Sequence, residues 1–281
     1  MIKKISELCE LRASVVITFP QETPTNLIQR GTQVTIGDDY VPVRKIGCLA
    51  PLSVIDTGPY EFYRVAPARV MRVMIPMGLA EFSAQDVERV FEPLDKLILQ
   101  LLERGVDIIV QMGLPLDLLL GREALAKVVN RIEQVSGVPA IAEVHCIVEA
   151  ARALGITKIV AANKWNEAMN RRLAEFFAEG GITQVGTQAQ SMVPAEFMKM
   201  SSDEGLSLAY GLGRAALESH PEADGLFIGG GSWLTLPAIV ALEEEFGRPV
   251  IGNQAAVVWD ACRRVNYWRP KPGYGKLIAL P

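Results

Sequence analysis

The chain has 281 residues, 49% hydrophobic and 21% charged, with 28 Lys and Arg against 32 Asp and Glu, a net charge of −4 at pH 7. That length supports two modest cores, and its apolar runs are broken by charge well before bilayer length, which argues against a membrane partner. No block of Lys and Arg is concentrated enough to track phosphates, so nucleic acid is excluded as the main partner and small-molecule chemistry is favoured.

Residues 1–44 read as an N-terminal arm, with Pro20, Pro24 and the turn-prone Gly37-Asp38-Asp39. The arm is expected to pack on the rest of the chain or on a second copy, so a homo-oligomer stays open. The start, Met1-Ile2-Lys3-Lys4-Ile5, lacks the apolar stretch of a signal peptide. Cys9, Cys48, Cys146 and Cys262 show no regular spacing, and a reducing cytoplasm is expected.

Lys45–Pro51 is a short apolar run of buried-strand type. Phe82–Gly105 reads as one helix, with Ser83 as N-cap and Val87, Val90, Leu94, Leu97 and Leu101 along one side. Val106–Gly113 is a strand ending in glycine, and Pro139–Cys146 a strand leading into a helix that stops at Gly155. Lys158–Lys164 opens a second series. A helix over Asn166–Glu179 closes at Gly180-Gly181, a helix spans Asp203–Ser219, Ala223–Gly230 is again a strand ending in glycine, and Pro249–Ala256 leads into a helix over Val257–Arg264.

The second series repeats the first. Lys45–Pro51 aligns with Lys158–Lys164, Val106–Gly113 with Ala223–Gly230, and Pro139–Cys146 with Pro249–Ala256, in one order and at offsets of 113, 117 and 110 residues. Strands separated by helix-length segments predict parallel βαβ units, whose ligands gather at the carboxyl ends of the strands. Two α/β lobes with parallel sheets are therefore expected to face each other across a cleft. The first spans residues 45–155 plus 256–281 and the second residues 156–255.

This arrangement selects the candidate residues. His145, Lys164 and Glu143 lie at or just after strand ends and are the candidate catalytic groups: imidazole titrates near neutrality, a buried lysine amine neutralises a carboxylate or donates a proton, and Glu143 orients His145 or acts as base. Gly113, Gly229, Gly230 and Gly231 bring backbone N–H groups close to an anion, which points to a small-molecule carboxylate. Gly-Gly-Gly-Ser lacks the spacing of a nucleotide-binding fingerprint. Asn253 is the repeat partner of Glu143, while Leu114, Trp165 and Trp233 suggest a partly apolar wall. Glu61, Tyr63 and Arg64 read as surface positions, and Cys48 and Cys146 as core.

The turn Met112-Gly113 with Leu116 and Gly121, the run Glu149–Gly155, Asn170 with Arg172-Leu173-Ala174, Asp224-Gly225 through Leu236, Trp259-Asp260-Ala261 and Lys271–Leu277 together resemble the Asp/Glu racemase superfamily, in the branch of arylmalonate decarboxylase and maleate cis-trans isomerase. The resemblance covers about residues 45 to 279. It implies two Rossmann-like lobes related by a pseudo-twofold axis, an active site between them, and no metal or organic cofactor. In the racemases it also implies catalytic cysteines where this chain has Gly113 and Gly230, whereas arylmalonate decarboxylase keeps only the second and has glycine at the first, so that Gly113 resembles that enzyme and Gly230 does not. It further implies hydroxyl-bearing substrate ligands at Leu114 and Pro115, and a tyrosine at Trp165.

Glycine neither shuttles a proton nor attacks a double bond, so another side chain must supply the chemistry. A cofactor-independent lyase or isomerase acting on a small carboxylate is the leading expectation. A hydrolase or hydratase using water activated by His145 or Glu143, and a non-catalytic carboxylate-binding protein, are the alternatives.

Overall fold

The computed structural model describes residues 41–281; the expectations for residues 1–40 lie outside the described residues. Two four-stranded parallel sheets form the frame. The first has β1 (Arg44–Leu52), β2 (Val70–Leu79), β3 (Ile108–Gln111) and β4 (Ala140–Ala142) in the order β2-β1-β3-β4. The second has β5 (Lys158–Asn163), β6 (Thr183–Ala189), β7 (Gly225–Gly229) and β8 (Val250–Gly252) in the order β6-β5-β7-β8. Strand for strand the orders are the same, as the duplication predicts. The central strands β3 and β7 are buried along their whole length, which is why they are written as unbroken apolar runs rather than as alternating patterns.

Helices cover both sheets: α1 (Thr57–Val65), α2 (Ala84–Phe91), α3 (Leu94–Leu102), α4 (Leu114–Ser136), α5 (Glu143–Ala153), α6 (Glu167–Glu179), α7 (Pro194–Phe197), α8 (Ser202–Ser219), α9 (Leu236–Phe246) and α10 (Asn253–Arg264). The helix expected over Phe82–Gly105 is two helices. Pro93 stands between α2 and α3, and its ring and missing N–H end the first before the second begins. The N-caps Ser83, Asn166 and Ser201 each accept a backbone N–H from the first turn, and Ser201 forms a capping box with Glu204.

The strands β2 and β6 were not foreseen. Both lie at sheet edges, where one neighbour suffices; β2 carries Pro76, and β6 reads Thr-Gln-Val-Gly-Thr-Gln-Ala with no fully buried residue. β6 lacks both the apolar run and the strict alternation that mark a strand in sequence, and the apolar run of β2 is interrupted by Arg72, Pro76 and Gly78.

The two sheets are tied together by α5 and α10, which pack on each other. Further ties cross between the sheets' own elements. Glu61 of α1, expected at the surface, is 2% exposed and accepts from the backbone N–H groups of Thr235 at 2.5 Å and Leu236 at 2.8 Å, capping α9. Thr57 Oγ1 donates to Gly231 O at 2.8 Å.

Candidate active site

Gly113 and Gly230 close β3 and β7 with φ of +101° and +128°, values that L side chains rarely adopt. Each turn is held by the first residue of the helix that follows the neighbouring strand. Glu143, at the start of α5, accepts from Gly113 N–H at 2.6 Å and Leu114 N–H at 2.8 Å through one oxygen. Asn253, at the start of α10, accepts from Gly230 N–H at 2.9 Å and donates to the other Glu143 oxygen at 2.9 Å. One acid and one amide thus pin both glycine turns and each other. Burial pushes the Glu143 carboxyl up, and the bonds from Asn253, Gly113 and Leu114 pull it back.

Consequently the Gly113, Leu114 and Gly230 N–H groups already have intramolecular acceptors. They do not form the open anion nest expected from the glycines.

Above the turns lies a cavity of about 90 Å³, well beyond the roughly 10–15 Å³ that one water needs. It is lined by both halves of the duplication, with a largely apolar wall from Met74, Phe82, Leu114, Trp165 and Phe197. Two basic side chains enter this wall. Arg72, on β2, is 8% exposed; its Nη1 donates to Gln254 Oε1 at 3.0 Å, and its Nε has no hydrogen-bond partner among the described residues. No carboxylate lies within ion-pair distance of it among those residues.

Lys164 follows β5 directly and is 2% exposed. Its Nζ has no hydrogen-bond partner among the described residues, sits 3.7 Å from the centre of the Trp233 ring, and would lie 3.3 Å from a Cβ placed on Gly230. Burial lowers its pKa to about 6, so the amine is mostly neutral at pH 7.

The structure thus gathers Gly113, Leu114, Pro115, Glu143, Lys164, Trp165, Gly230 and Gly231 around one cavity. It separates three of the residues expected there. His145 lines a different surface pocket, with Glu149, Arg152, Phe176 and Arg264. The cause is helical: α5 already begins at Glu143, and two residues further the side chain has turned by about 200°. Burial, then the nearby Arg264 charge, holds the imidazole below its usual range. Gly229 lies behind the cavity, where an added Cβ would meet Trp165 at 2.7 Å. Asn253 pins the turn from behind rather than lining the wall.

Sequence reasoning missed Arg72 and Gln254. Arg72 lies on an unforeseen edge strand; a lone basic residue in Val-Met-Arg-Val-Met-Ile was its signal. Cys48, Cys146 and Cys262 are buried and do not line the cavity, and burial raises each thiol, Cys262 to about 12.

The arylmalonate decarboxylase family model matches residues 61–278. The chain belongs to the arylmalonate decarboxylase family. The arylmalonate decarboxylase of Bordetella bronchiseptica is 27% identical over 203 residues, 72% of this chain and 83% of that protein. A solved structure of unliganded arylmalonate decarboxylase superposes with a TM-score of 0.72 at 25% identity, covering 85% of this chain and all of that one. The maleate isomerase of Pseudomonas putida S16 shares the fold, with a TM-score of 0.74 at 17% identity over 84% of this chain and 98% of its own. The proteins this chain resembles thus include an arylmalonate decarboxylase and maleate cis-trans isomerases.

Proposed function

We propose that this chain is a cofactor-independent lyase or isomerase of decarboxylase type acting on a small carboxylate, in which Arg72 holds the carboxylate and Lys164 moves the proton at the neighbouring carbon. The observation that carries the reading is the Lys164 amine: buried, unpaired among the described residues, and next to Gly230, where the family resemblance puts a cysteine. A buried guanidinium in the same wall, with no carboxylate within ion-pair distance among the described residues although its charge is felt by Glu143, supplies the complementary charge for a substrate carboxylate.

The chemistry follows from the electrostatics. An anion entering the cavity favours the charged form of Lys164, so the amine takes up a proton as the ligand binds. When carbon dioxide leaves, the electron pair remains on the adjacent carbon, and the ammonium returns its proton there. The apolar wall suits an aryl or alkyl substituent and weakens the hydration of the leaving carboxylate. Glu143 acts as a positioning residue, since both its oxygens are engaged in holding the turns. His145 lies outside the cavity, which disfavours the hydrolase built on it.

Proton NMR in D2O with a panel of substituted malonates, maleate and 2-substituted acids tests the reading. Decarboxylation, isomerisation or α-deuteration that disappears in Lys164→Met and is weakened through KM in Arg72→Met is expected. Turnover surviving in Lys164→Met would refute it, and ligand binding without turnover in the parent chain would make this a carboxylate-binding protein.

A further inference from the structure

We propose that Lys164 acts on one substrate class as a nucleophile, forming an imine with the carbonyl of a 3-oxo carboxylate held at Arg72, and that the cavity decarboxylates this class through the covalent adduct. The inference rests on the reading above, that the cavity takes a small carboxylate and that Lys164 is its reacting group, and it names the substrate.

The argument begins with where the electrons go. Loss of carbon dioxide leaves an electron pair on carbon, and it needs a sink before protonation. The backbone donors at the two glycine turns are unsuited to that work: Gly113 and Leu114 N–H point to Glu143, and Gly230 N–H points to Asn253. The wall beside them is largely apolar, with Leu114, Pro115, Trp165 and Phe197. The neutral donors nearby, among them Ser232 and Trp233 Nε1, the latter unpartnered among the described residues, stabilise a carbanion far less than a cationic imine conjugated to it. A covalent sink removes this difficulty. The Lys164 nitrogen has no acceptor drawing on its protons among the described residues, lies against the Trp233 face, and is nearly excluded from water by burial. A desolvated amine of this kind adds to carbonyls.

The steps balance. The Lys164 nitrogen attacks the carbonyl carbon of the bound 3-oxo acid, and the carbinolamine takes up one proton from solvent and expels its oxygen as water to leave a protonated imine; this is the proton that the overall decarboxylation consumes. The bond between the α-carbon and the carboxylate breaks; its electron pair forms a carbon–carbon double bond as the imine electrons move onto nitrogen, and carbon dioxide departs. The enamine takes a proton at carbon from water. A second water then hydrolyses the imine, releasing the ketone and restoring the amine.

The experiment uses the full chain with 3-oxobutanoate and 3-oxo-3-phenylpropanoate, in parallel with a phenyl-substituted malonate, with and without cyanoborohydride, followed by intact mass and peptide mapping. The expected result is an adduct on Lys164 whose added mass is that of the bound acid or product ketone less one oxygen, loss of turnover on trapping, and incorporation of 18O from labelled water into the ketone. Neither Lys164→Met nor Lys164→Arg should trap or turn over, with circular dichroism confirming that both are folded. Decarboxylation of the oxo acid above its spontaneous rate without adduct or Lys164 dependence would overturn the inference. Lys164-dependent turnover of the malonate with no adduct from either oxo acid would overturn it and leave the proton-transfer reading standing. Absence of Lys164-dependent turnover of all three would overturn both.

Discussion

Asn253 Nδ2 donates to Glu143 Oε1 at 2.9 Å, joining the first residues of two helices that the duplication makes equivalent. Each residue also reaches back to the glycine turn in front of it. The pair is therefore the keystone that sets how the two turns face the cavity. Glu143→Ala would leave the Gly113 and Leu114 N–H groups and the Asn253 amide without acceptors. We expect a loss of about 3–5 kcal/mol in denaturant unfolding, and roughly 1–3 kcal/mol for Glu143→Gln, which misplaces one donor.

Lys164 should weaken the fold it serves. Its folded pKa of about 6 lies below the ordinary lysine value, so between pH 6 and the lysine range the unfolded chain binds a proton that the folded chain does not. Stability of the parent chain relative to Lys164→Met should therefore rise as pH increases across that window and fall towards its minimum near pH 6. At pH 7 Lys164→Met should be more stable by on the order of 4 kcal/mol. A thermal midpoint that is unchanged or lower in Lys164→Met would contradict the buried neutral amine.

Rate profiles carry the opposite signs of two roles for the same nitrogen. Where Lys164 donates a proton to a malonate-derived carbanion, kcat/KM should fall as pH rises through about 6, because the free protein must be protonated. Where it attacks a 3-oxo acid, kcat/KM should instead rise through that pH.

Arg72→Met should raise KM for any carboxylate substrate by about 10- to 1,000-fold, the range of a charge-assisted pair in a buried wall. Arg72→Lys should recover part of this, since it restores charge without the planar fork. His145→Ala, by contrast, should leave kcat/KM within about twofold, because its pocket is separate from the cavity.

Restoring a thiol by Gly230→Cys should fail to produce a working site. A Cβ there would sit 3.1 Å from Trp233 Nε1 and 3.3 Å from Lys164 Nζ, on a backbone with φ +128°. A strain cost of about 1–3 kcal/mol is expected, read by chemical denaturation. Gly113→Ala should cost more, since its Cβ would come to 2.5 Å from Pro51 Cγ.

The fold was legible because its central strands are apolar on both faces and recur in order, so two strands found in one half locate their counterparts in the other. Lys164 was legible for the same reason: it stands one residue beyond β5. The edge strands were not, since one face of each meets solvent and neither pattern is regular. Arg72 went with them. The assignment of His145 failed on a single boundary, the start of α5 at Glu143; at a strand end His145 would face the ligand, and one half-turn into a helix it does not. Nor does a run of glycines disclose which neighbouring side chain already occupies its N–H groups.

The repeat sets Pro51 and Lys164 in register, and in the folded chain each stands over the glycine of its own half: Pro51 over Gly113, Lys164 over Gly230. A planar carbon held between them meets a reactive nitrogen on one side and an inert ring on the other. Where the Lys164 ammonium returns the proton, the scaffold is symmetric but the reaction is handed. New bonds to hydrogen would form from one face only, and the protein would deliver a single mirror image where a thiol on each side would deliver both.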